Sequence, residues 1–176
     1  MGAAKSYTIH KGKKSQLKTS MTALERMRQN LEETAFRLDS VRVINEIRFL
    51  NDSRAVDLLS TRDSFKCLKT SAVWLTTTTP HERDFALIEN YIRRKIESIV
   101  VYGAEAVDMR KQLGSLVKKF LTVDDLNEGV KRSYEIAEAN ESVIFSPSCV
   151  VEDEYLNFVD RGRAFEKFVK ELKVNE

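Results

Sequence analysis

Apolar and polar positions follow two periods along this chain, and the switches between them mark its elements. Over residues 36–44 the side chains largely alternate, Asn45-Glu46 interrupts, and residues 47–51 resume the pattern. This predicts an antiparallel hairpin at one edge of a sheet. Short, largely apolar runs follow at residues 72–75, 98–102, 119–121 and 143–145, as expected of strands covered on both faces. Amphipathic segments between them predict helices over residues 55–69, 82–95, 104–113 and 123–139, with Thr122 or Asp124 capping the last, and a final helix from Arg161. In the second of these, Phe85, Ile88, Tyr91 and Ile92 share one face. Apolar strands alternating with amphipathic helices predict an α/β fold: a mainly parallel, Rossmann-like twisted sheet with helices on both faces.

The N-terminal part reads differently. Met21, Leu24, Met27 and Leu31 fall at helical spacing and predict a helix over residues 21–33, capped by Thr19 or Ser20. Before it, Lys5, Lys11, Lys13, Lys14 and Lys18 stand without an acidic residue, so residues 1–20 are expected to be a basic flexible tail. Tyr7 is its one aromatic, which favours a solvated extension over a nucleic-acid contact. One domain over residues 34–176 completes the expected organisation.

Composition narrows the class. Of 176 residues, 42% are hydrophobic and 32% charged, and no apolar run nears the length of a membrane span, roughly 18 residues. No apolar leader follows the first methionine, so a cytoplasmic location is expected. Met1-Gly2 with Ser6 matches the N-myristoylation pattern, which is too short to separate from chance. Cys67 and Cys149 lack CxxC spacing and read as free thiols, and the isolated His10 and His81 give no metal site. No nucleophile–base pair points to a catalytic residue: Ser146 and Ser148 flank a proline without a GxSxG elbow. Glu152, Asp153 and Glu154 read as carboxylates favoured at a helix N-terminus.

Ligands of an open α/β sheet sit beyond the carboxyl ends of its strands. Here those ends are residues 51–54, 76–79, Gly103 and 146–148, which predicts one shared rim. Two of them carry motifs: Asn51-Asp52-Ser53-Arg54-Ala55, and Ser146-Pro147-Ser148-Cys149 followed by Asp153, Tyr155, Asn157-Phe158, Arg161-Gly162 and Phe165. In this order and spacing they resemble the C-terminal domain of the Mur ligases, in particular the D-glutamate-adding branch, over about residues 34–173.

The resemblance implies roles position by position. Arg37, matching an arginine of the first strand, and Asp52 occupy places that face the nucleotide, so ATP or ADP is an expected weak ligand; a local ion pair between them is the alternative. The amino-acid pocket is represented by Arg54, Val56, Val151 and Phe158. Arg54 keeps the charge of the family's lysine, Val56 and Val151 replace hydroxyl residues, and Phe158 is retained. The family's Gly-Gly-x-x-Lys loop is replaced by residues 76–83, with Asp84-Phe85 retained. Nor does the chain contain a GxxxxGK[ST] phosphate loop. A non-catalytic binding or regulatory module is therefore expected. The alternative is one component of a split ATP-dependent ligase whose partner is an ATPase-domain polypeptide or another cell-wall enzyme.

Overall fold

A computed structural model describes residues 35–79, 83–103, 106–151 and 155–173, within one compact unit of Thr34–Glu176. The expected tail and N-terminal helix, both histidines and Glu152, Asp153 and Glu154 lie outside the described residues. In chain order the elements are β1 (Asp39–Ile44), β2 (Ile47–Asn51), α1 (Leu58–Cys67), β3 (Ala72–Thr77), a 3-10 turn (Phe85–Leu87), α2 (Glu89–Lys95) and β4 (Ile96–Tyr102). They continue with α3 (Val107–Leu113), a second 3-10 turn (Gly114–Leu116), β5 (Lys119–Val123), α4 (Leu126–Ile136), β6 (Ser142–Phe145) and α5 (Phe158–Glu171).

The hairpin forms where alternation predicts it. Asn45 and Glu46 take φ of 47° and 66°, the pair of left-handed residues that a two-residue turn uses to match strand twist. Ile44 and Ile47 thereby face each other and bury their side chains. β1 is the largely exposed edge strand. Its Arg42 guanidinium donates to the carbonyls of Val169, Lys170 and Leu172, so a cation closes the C-terminal end of α5.

All other strand pairs are parallel, in the order β1-β2-β6-β3-β4-β5. The last strand thus returns to lie between β2 and β3. Every residue of β3 is buried, as a central parallel strand requires. Trp74 faces Phe65, Ile88, Ile92 and Ile99 on one side, while Val73 and Leu75 join Val100, Val130, Phe145 and Phe165 on the other. Phe145 stacks on Phe165 at 4.8 Å between centroids; full burial of such a side chain contributes about 1.5–3 kcal/mol.

Several boundaries differ from expectation for local reasons. The helix expected over 55–69 begins at Leu58, because Asp57 is extended and its carboxylate accepts from the Ser60 amide. The helix expected over 82–95 is a 3-10 turn and then α2: Asp84 caps the first, and Ile88 breaks the run with φ −122° and ψ −4°. Val123 pairs with Tyr102, so β5 continues through it, and α4 starts behind Asp125 rather than Thr122 or Asp124. Asn157 caps α5, which starts three residues before Arg161.

Candidate functional site

The topology sets the carboxyl ends of β2, β6 and β3 side by side. At the end of β2, Asn51 is a clamp: its amide donates to Gly162 O at 3.0 Å, and its side-chain oxygen accepts from the Ser53 amide. A Cβ at Gly162 would lie 2.3 Å from Ser53 Oγ, so glycine there permits the close approach of α5.

Asp52 is 1% exposed. Its carboxylate accepts from Ser146 Oγ at 2.8 Å and from Ser64, and Thr61 Oγ1 lies 2.9 Å from the same Ser146 hydroxyl. Burial raises its pKa to about 6, against the opposing pull of these donors and of the Arg37 charge.

Arg37 lies two residues before β1, not within the strand. Its neighbours Phe36 and Leu38 take φ of 62° and 55°, a left-handed state costing on the order of 1 kcal/mol or more for such side chains. These turns put Arg37 beside Asp52. Together with Arg54, Ala55, Ser60 and Ser64 they line a cavity of about 70 Å³. The Arg54 guanidinium also lies 5.5 Å from the Phe158 ring centre, joining the β2 loop to the start of α5. Val56 and Val151 are half-buried in their loops.

The geometry adds Arg83, which the sequence reading passed over. It donates to Ser148 Oγ at 3.0 Å and to Thr77 O at 3.1 Å, and lies over Phe85 at 5.0 Å. Desolvation holds its pKa below arginine's ordinary value. The signal available in the sequence was a cation just before Asp84-Phe85, at the end of a loop leaving a buried strand. Ser148 has φ 55° and donates to Pro147 O, while Trp74 Nε1 donates to Ser146 O. Ser146 and Ser148 therefore brace the rim. The two cysteines form no disulfide; Cys67 is exposed and Cys149 buried. Among the described residues no three His, Cys, Asp or Glu groups converge on a metal position. Nor is any described helix long and apolar enough to cross a membrane.

The chain is 25% identical over 150 residues to UDP-N-acetylmuramoylalanine–D-glutamate ligase of Porphyromonas gingivalis, covering 85% of this chain and 33% of that one. The enzyme of the same name from Lactobacillus johnsonii is 30% identical over 140 residues, 78% of this chain and 30% of that one. The chain's relatives are D-glutamate ligases. It spans about a third of their length. A murein peptide ligase from Psychrobacter arcticus shares the fold, with a TM-score of 0.50 and 8% identity over 80% of this chain and 31% of that one. No protein-family model matches the chain. What it shares with that ligase is the fold, a mostly parallel α/β sheet with one antiparallel hairpin.

The polar residues of the rim form two groups. Arg37, Asp52 and Arg54 share one cavity, and Arg54 links it to Phe158. Arg83 and Ser148 form a second polar cluster between β3 and β6.

Proposed function

We propose that this chain is a binding or regulatory module of peptidoglycan precursor synthesis, which holds a nucleotide on its rim and does not by itself form the amide bond. The observation that carries this reading is the convergence of Arg37, Asp52 and Arg54 on one cavity at the strand carboxyl ends. A guanidinium pairs with phosphate, and an ionised carboxylate accepts from ribose hydroxyls. Arg83 supplies a third cation, a desolvated one, for an anionic ligand group. On this reading the domain works in the cytoplasm.

Few contacts come from one side of the nucleotide, so affinity for ADP is on the order of millimolar. An ADP titration followed by amide NMR checks this: neighbours of Arg37 and Asp52 shift, and Arg37→Ala removes the response while leaving the fold intact. A tight complex indifferent to Arg37 would contradict the reading.

The relation to relatives about three times as long favours a second reading, one component of a split ligase whose partner is an ATPase-domain polypeptide. Mixing the chain with such a polypeptide would then produce ligation that neither shows alone.

A further inference from the structure

We propose that the open edge of β5 pairs antiparallel with β5 of a second copy of this chain, joining two sheets across a two-fold axis at Leu121. This does not rest on the nucleotide reading above.

The sheet has two edges, β1 and β5. They are not equivalent. The register of β1 shifts between Ser40 and Arg42, and such a bulge blunts an edge against further pairing. β5 pairs with β4 along its whole length without a shift. On its other side no strand lies beside it among the described residues, so alternate amides and carbonyls along it are open to a partner strand. Lys118, Lys119, Thr122 and Asp124 are exposed there, and Leu121 is half-buried.

Charge selects the occupant. The strand Lys119–Val123 has Leu121 at its centre, with Lys118 immediately before it and Asp124 immediately after. Lys118 stays alongside β4, since its amide donates to the Glu97 carbonyl at 2.8 Å. In an antiparallel pair centred on Leu121, the Lys118 of each copy stands opposite the Asp124 of the other, and Phe120 opposite Thr122. Opposite charges at both ends and apolar side chains in the middle are what cross-strand contacts favour. Parallel pairing would set Lys118 against Lys118 and Asp124 against Asp124, which is repulsive. Edge lysines discourage an ordinary strand, whereas here Lys119 lies diagonally across from Asp125 of the other copy. The Lys118 ammonium already meets Glu97 at 2.9 Å and, with three donors, can serve a second carboxylate. Strands of the two copies run in opposite directions, so their rims open at opposite ends of the joined sheet.

Two short edges make a small contact, which suits a weak and reversible dimer. Sedimentation velocity on the full chain is expected to show a monomer–dimer equilibrium at a concentration on the order of 100 micromolar. Added salt should weaken it, because the paired charges are exposed. Lys118→Glu and Asp124→Lys should each raise the dimer dissociation constant by on the order of tenfold, since symmetry turns two attractive pairs into two repulsive ones. The double variant should recover most of that loss. Circular dichroism checks that each variant is folded, and if one single variant is not, the other makes the same test. Register is read in a Cys67→Ser background, where Leu121→Cys should form a disulfide-linked dimer on mild oxidation faster than Thr122→Cys. Faster linking through position 122 overturns the proposed axis. A dimer indifferent to both charge reversals, or single losses that the double variant does not recover, overturns the pairing. So does a chain that stays monomeric to about a millimolar, a result that would leave the edge to a strand of a different protein.

Discussion

Asp52 is held at a cost. Its folded-state pKa of about 6 lies above the ordinary 3.8 because burial disfavours the carboxylate more than Ser146, Ser64 and Arg37 favour it. A raised pKa means that the folded chain binds the proton more tightly than the unfolded chain does. The stability tied to this group is therefore complete below about pH 4 and is lost as pH rises through about 6, with a loss of about 3 kcal/mol. Asp52→Asn keeps the shape and an acceptor for Ser146 while removing the charge. It is expected to unfold in urea with a free energy about 1–3 kcal/mol above the unaltered chain at about pH 7.5, with that gain closing towards pH 4. Equal stabilities across this range would show that the carboxylate is not desolvated as described. The sequence marks Asp52 as a rim residue, but not its burial. That depends on α1 and the β6 loop closing over it, which brings Ser64 and Ser146 to a residue 12 and 94 positions away.

Among the elements, α5 shows how local chemistry and packing divide the labour. Asn157 accepts from the amides of Val159 and Asp160 at 2.9 Å each, and Phe165 and Val169 bury against the sheet. Replacing Asn157 by Ala leaves two first-turn amides without that acceptor. The expected loss is about 1 kcal/mol, read as a lower unfolding midpoint with the helix still present by circular dichroism; no change would mean that water serves those amides equally well. The existence of the strands and helices was legible because period two and period 3.6 are set by which faces are buried. Their ends were less legible. Asp57 and Asp125 cap their helices from positions that the periodicity did not single out, and β5 extends through Val123 because Tyr102 pairs with it, a partner from another strand. Arg83 was missed for a related reason: its meaning comes from Ser148, 65 residues on, and not from its neighbours in the chain.

For the molecule as a whole, the return of β6 between β2 and β3 is what assembles the rim. It brings the Asn51-Asp52-Ser53 block beside Ser146-Pro147-Ser148, and thereby joins two motifs nearly a hundred residues apart. The resulting surface offers cations and hydroxyls for an anionic ligand. These residues contain no phosphate loop, and the described ones hold no cluster of acids for a metal ion. On the proposed reading the chain alone binds a nucleotide without turning it over. Phosphorus NMR of ATP mixed with the purified chain, magnesium, UDP-N-acetylmuramoylalanine and D-glutamate tests both halves together. ATP signals that shift as the chain is added, yet keep their full intensity over hours, are the expected result; accumulation of ADP and phosphate above a control without the chain would contradict it.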